Sequence, residues 1–185
     1  MKEIKEDVCG LCARELSAFG SKPFAQGVLC RDCVSKLSEW ITDEQLSGMT
    51  LAGLRSHLAY RNKNAVRIAA LAPTASVGGR YSLNICRRQF FFSRREDYIK
   101  ENADVFRLGN FKSVRTFTEK TENSEGSDVF FRVELKRGEL PLVQFRVNDF
   151  PGLSEDSEEY AKAMETAAQY ARALRAAGVS ERKFL

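Results

Sequence analysis

Apolar residues along this chain of 185 residues change their spacing twice, from helical to strand-like and back. Thr50 is positioned to cap a helix in which Leu51, Leu54 and Leu58 recur at helical spacing, and Asn62-Lys63-Asn64 is expected to end it. From Ala65 to Val147 the period becomes strand-like. Tyr81, Leu83 and Ile85 alternate with Ser82, Asn84 and Cys86, and Gln89-Phe90-Phe91-Phe92 follows closely, so Arg87-Arg88 falls at a hairpin tip. Phe131, Val133 and Leu135 alternate with polar residues, as do Val143, Phe145 and Val147 beyond a turn at Gly138, giving the clearest hairpin. Between the hairpins, Val105 to Phe117 predicts one or two further strands. Glu119 to Ser127 holds no apolar residue before Ser127 and reads as a solvated loop.

After Pro151-Gly152 the helical period returns. Ser154 is a candidate cap, and Glu155, Asp156, Glu158 and Glu159 put negative charge where a helix macrodipole favours it. Tyr160, Ala163, Met164, Ala167, Ala171 and Leu174 form one stripe, and Gly178 is the expected stop. A helix over 154–177 would be about 36 Å long at ~1.5 Å per residue, enough to cover one side of a small sheet.

The hydrophobic fraction of 43% suits a chain that buries a core. No apolar run approaches the roughly 20 residues of a membrane helix. Residues 1–7 mix charges of both signs without an apolar stretch, so no signal peptide is expected and the chain reads as cytoplasmic. The net charge of +4 is uneven: residues 49–115 carry 13 Lys/Arg and 4 Asp/Glu, whereas each of the other segments is slightly acidic.

Four of the five cysteines fall in the first 33 residues as Cys9-x2-Cys12-x17-Cys30-x2-Cys33, the spacing of a four-cysteine zinc site. Two CxxC turns each present two thiolates and together supply a closed tetrahedral shell, so one structural Zn2+ is expected and not a catalytic one. Gly10 is read as permitting the first turn. An odd cysteine count in a reducing compartment disfavours disulfides, and a redox CxxC would follow a strand in a βαβ unit, which is not seen. The second pair leads into Val34, Leu37, Trp40 and Ile41, which would share one helical face. A helix entered from the second ligand pair is a treble-clef arrangement rather than a plain zinc ribbon.

Other chemistry is sparse. His57, the single histidine, reads as a helix residue rather than a fifth ligand or base. Cys86 reads as small and buried, with no histidine to activate it. No phosphate loop, catalytic triad or carboxylate pair stands out, so no enzyme is expected and no catalytic or cofactor-binding residue is assigned. Phe90-Phe91-Phe92 reads as core. Arg87, Arg88, Arg94 and Arg95 are the candidate anion-binding residues, for an anionic lipid or phosphorylated ligand. The blander expectation is that the basic segment pairs with the acidic loop at 119–128 and the acidic start of the last helix. Nucleic acid is disfavoured as a partner because the cysteine segment, residues 1–48, has a net charge of −2. Protein is the expected partner.

The pattern Cys9-Gly10-Leu11-Cys12 followed by Phe24-Ala25-Gln26-Gly27-Val28-Leu29-Cys30-Arg31-Asp32-Cys33 resembles an uncharacterised bacterial family, a domain of unknown function opening with a four-cysteine zinc module. Ala13 replaces the glycine usual after the second cysteine, and Gln26 replaces the usual aspartate before Gly27. The resemblance implies a following β-rich region, similar here to a pleckstrin-homology-like (PH-like) plan of strands and then one helix. It implies metal ligation by the four cysteines and no activity. The expected fold class is therefore α+β: a zinc module over 1–41, a helical linker over 42–64, and a PH-like antiparallel β domain with a long C-terminal helix over 65–185.

Overall fold

A computed structural model describes residues 7–121, 126–137 and 140–182. The chain is mixed α and β, with antiparallel sheets and a long C-terminal helix, and it divides into two compact units, residues 1–63 and 64–185. The expected turn residue Gly138, and residues 122–125 of the expected acidic loop, lie outside the described residues.

The first unit opens on a small hairpin of β1 (Lys22–Phe24) and β2 (Gly27–Leu29), closed by the two-residue turn Ala25-Gln26. Helix α1 (Arg31–Val34) follows and is a single turn, shorter than the sequence predicted. Beyond it the chain continues in separate turns, because the Ser38 N–H is taken by the His57 ring and not by a helical carbonyl. Leu37 and Trp40 are nonetheless buried. Helix α2 (Asp43–Gly48) was not foreseen. Thr42 and Gln45 form a reciprocal capping box at its start, a signature that the sequence carried.

Helix α3 (Leu51–Ala69) has Thr50 as its cap, with the Gly53 N–H donating to the Thr50 hydroxyl at 3.2 Å. It does not end at Asn62–Asn64, and the division between the two units falls inside it. Asn64 resembles a helix breaker in sequence, but it is fully buried. Its amide nitrogen donates to the Ala103 carbonyl at 2.8 Å and its oxygen accepts the Val105 N–H at 3.0 Å. Those long-range bonds replace the local ones that would otherwise favour a break.

The second unit holds a four-stranded antiparallel sheet, β3 (Ala75–Val77), β4 (Ser82–Ile85), β5 (Gln89–Ser93) and β6 (Val105–Arg107), in that order. Arg87 and Arg88 lie in the tight β4–β5 connection, as the sequence predicted. The four-residue helix α4 (Tyr98–Glu101) and strand β3 escaped the sequence pattern. A three-stranded sheet follows: β7 (Phe111–Lys120), β8 (Ser127–Leu135) and β9 (Leu142–Arg146). The predicted hairpin is its β8–β9 pair, with Phe131 opposite Phe145 and Val133 opposite Val143. Glu119 and Lys120, assigned to a loop from sequence, instead pair with Asp128 and Ser127 in the β7–β8 ladder. The described strands of this unit form two sheets rather than one closed barrel.

Helix α5 (Glu158–Arg182) starts one turn later than predicted, because Ser157 and not Ser154 receives the N–H of Tyr160. It also runs through Gly178. Ala163, Ala167, Ala171 and Leu174 are buried as the stripe predicted, whereas Met164 is exposed. Tyr170, outside that stripe, is the largest fully buried side chain, and its hydroxyl donates to the Tyr81 carbonyl. Its ring meets Phe131 edge-on at 5.3 Å, with Phe92 and Phe145 each at 6.0 Å. Phe90, Phe91 and Phe92 are all fully buried, so β5 is covered on both faces: Phe91 packs with Ile68, Cys86, Ala103 and Val105 in a second cluster.

Candidate metal centre

The first cysteine pair sits in a tight turn before β1, in which the Ala13 N–H donates to the Cys9 carbonyl at 2.8 Å. Ala13 takes a left-handed backbone, φ +58°, a conformation that costs an L-residue with a Cβ and is free for glycine. Gly10 serves differently from the sequence reading: a Cβ there would meet the Phe24 ring at 2.9 Å, so close approach rather than torsional freedom requires the glycine. The second pair straddles the start of α1. Cys30 is its N-cap, and the N–H groups of Cys33 and Val34 both return to the Cys30 carbonyl at 3.0 Å.

These two turns bring the four sulfurs within 4.8 Å of one another. Cys9, Cys30 and Cys33 are buried and Cys12 is exposed, and none of the four is in a disulfide. The Cys12 and Cys30 sulfurs stand 3.7 Å apart, far beyond a disulfide bond. A tetrahedral ion with metal–sulfur bonds of ~2.3 Å would hold its sulfurs about 3.8 Å apart. The donor set therefore fits a metal ion such as zinc.

The electrostatics agree. Burial pushes the Cys9 thiol up, but backbone N–H groups of Cys30, Cys12 and Leu11 outweigh it and bring the pKa down to about 6. Burial, then the neighbouring thiols, push Cys33 strongly upward. The Cys9 thiolate is thus favoured by the backbone, while ionisation of Cys33 beside it is opposed.

The surroundings hold the turns in place. The Gly10 N–H donates to the Val28 carbonyl at 2.9 Å, and Gln26 accepts the Leu51 N–H at 2.7 Å, fastening the β1–β2 turn to the start of α3. His57 lies outside the cluster; its Nε2 accepts the Ser38 N–H at 3.1 Å. Cys86 belongs to the second unit, and burial pushes its thiol up.

The candidate anion-binding arginines are not brought together. Arg87 and Arg88 precede β5 and Arg94 and Arg95 follow it, so the pairs are separated by roughly 20 Å of extended chain. Arg94 is engaged, its Nε donating to the Tyr81 hydroxyl at 2.7 Å with its guanidinium over that ring. Lys112 pairs with Glu134, and Asp128 with Arg146 at 3.5 Å. Among the described residues, Glu155, Asp156, Glu158 and Glu159 make no ion pair. A second group of arginines went unnoticed in the sequence: Arg115, Arg132, Arg172 and Arg175 line one groove between β7 and α5. Only the tertiary structure joins these positions.

The first unit is thus a four-cysteine module capable of holding a metal, built on a hairpin and a helix start and backed by two further helices. Residues 7–57, which take in all four cysteines and end at His57, match the family described as Domain of unknown function (DUF4428). No curated protein and no solved structure matches the chain. No helix among the described residues is long and apolar enough to cross a membrane.

Proposed function

We propose that Cys9, Cys12, Cys30 and Cys33 bind one structural zinc ion, and that the chain is a non-enzymatic interaction or adaptor protein of the cytoplasm. The observation that carries the first part is the convergence of four sulfurs from two separate turns within 4.8 Å. Four thiolates fill a tetrahedral shell and leave no position for substrate, so the ion's work is to hold the module together. The helix start at the second pair supports a treble-clef-like reading. The two antiparallel sheets followed by one long helix support a PH-like reading of the second unit. A non-enzymatic role is supported by His57, occupied as an acceptor, and by Cys86, a buried thiol whose pKa is raised.

The purified chain should carry one zinc per molecule by elemental analysis, and Cys30→Ser or Cys33→Ser should lose it. Capture of a protein partner from native cells should change little with salt and disappear in those variants. A chain purified without metal that folds and captures normally would sink the reading. A second reading, binding of an anionic lipid or phosphorylated ligand, is favoured only by the exposed Arg87 and Arg88 at the β4–β5 tip. It is abandoned if Arg87→Glu/Arg88→Glu leaves binding to anionic liposomes unaltered.

A further inference from the structure

We infer that the groove between β7 and α5 binds an extended acidic peptide, added as a strand to the free edge of β7. The inference rests on the reading of the chain as an interaction protein and adds to it a partner class bound by the second unit, separate from the zinc-dependent capture.

Among the described residues β7 pairs with β8 alone, so one side of its ten-residue backbone has no strand partner. Alternate N–H and C=O groups on such an edge are a template for another chain. An open groove of about 740 Å³ runs beside it, with residues 114–117 forming one wall. Ala168 and Ala171 lie in the other wall, and their small side chains leave room between helix and strand. An added strand needs about 4.8 Å of spacing from β7.

Charge selects the occupant. Arg115 and Arg132 face each other across the β7–β8 register, a like-charged pair that is unfavourable by itself. Arg172 and Arg175 sit nearly one turn apart on α5, again with like charge. Among the described residues Glu119 is the single acidic one lining the groove. Among the described residues the Arg115 and Arg175 side chains make no ion pair, and the Arg172–Glu165 pair is exposed on both sides. Clustered cations that do not neutralise one another are stabilised by an anionic ligand, and planar guanidinium groups suit carboxylate or phosphate oxygens.

The same residues argue against single-stranded nucleic acid. The Phe117 ring is stacked on Phe130 at 5.5 Å and lies under the Arg132 guanidinium at 4.9 Å, so a stacking base would have to displace one of them. A strand edge instead reads a backbone that carries its own amides, which peptides have and nucleic acids lack.

The test uses the full zinc-loaded chain and a fluorescent ten-residue peptide alternating Glu and Thr. Binding should be saturable and at least tenfold weaker for Arg172→Glu/Arg175→Glu and for Arg115→Glu, while Arg87→Glu/Arg88→Glu leaves it unchanged. Methylating every second peptide amide should cost at least tenfold in one register and little in the other. Equal binding by both methylated peptides would overturn strand addition, and tighter binding of a mixed oligonucleotide would overturn the peptide as occupant. If no acidic or phosphoserine-containing peptide binds while zinc-dependent capture of a cellular partner persists, the groove proposal fails and the interaction reading stands.

Discussion

At the scale of single residues, backbone torsion and buried polar contacts explain what residue type alone leaves open. Ala13 holds φ +58° in the first cysteine turn. Ala13→Gly should relieve that strain and raise stability by about 0.5–1 kcal/mol, the gain reduced by the freedom glycine adds to the unfolded chain. The check is a higher urea midpoint with zinc content unchanged. Asp128 shows the opposite kind of dependence on its surroundings. Burial alone would raise its carboxyl, but the Asn148 amide at 2.9 Å, the Gly152 N–H at 2.8 Å and the Arg146 charge hold it below the usual range. A depressed carboxyl contributes stability that is present above its unfolded pKa, about 3.9, and lost as pH falls through the lower folded value. Urea midpoints of the wild type should therefore fall below about pH 4. Asp128→Asn should be less stable by about 1–2 kcal/mol at pH 7 and should lose part of that acid dependence.

At the scale of elements, periodicity was a sound guide wherever one face of an element is buried and the other is wet. The β8–β9 hairpin, the β4–β5 tip and most of the α5 stripe were legible for that reason. Some of the readings that failed share one cause, a tertiary partner that changed what a local signal meant. Asn62-Lys63-Asn64 read as a helix end, yet α3 continues because the Asn64 side chain satisfies the backbone of residues 103–105. Asn64→Ala would strand the buried Val105 N–H and Ala103 carbonyl, and should destabilise the second unit by about 2–3 kcal/mol. Hydrogen exchange should rise in β6 and the end of α3 before it rises in β8. In β5 the three phenylalanines could not be assigned to faces by alternation, since both faces are covered. Short elements without a full period, α4 and β3, left no pattern to read.

At the scale of the whole molecule, the two units have different sources of stability. The second has a large aromatic core around Phe92, Phe131, Phe145 and Tyr170. The first buries fewer large side chains around Leu29, Leu37, Leu46 and Leu54, together with three of its cysteines. A structural zinc site contributes folding free energy on the order of 10 kcal/mol at neutral pH, comparable to a domain's whole stability. Strong chelation should therefore unfold residues 7–63 while near-ultraviolet signals from the second unit's tyrosines persist. One cooperative transition that removes both signals together would contradict this.

The sequence by itself determined the cysteine cluster, because CxxC geometry is local and the spacing between the pairs limits how they can meet. It determined the α+β class and the principal hairpins, because one-sided burial writes a period into the chain. Tertiary structure decided where helices end, which arginines share a surface and why Gly10 is glycine. Each of those depends on groups distant in sequence: Asn64 on residues 103–105, Arg115 on Arg172, Gly10 on Phe24. Hydrogen bonds and charges act at contact distance in space, and no pattern along the chain records contacts that only folding creates.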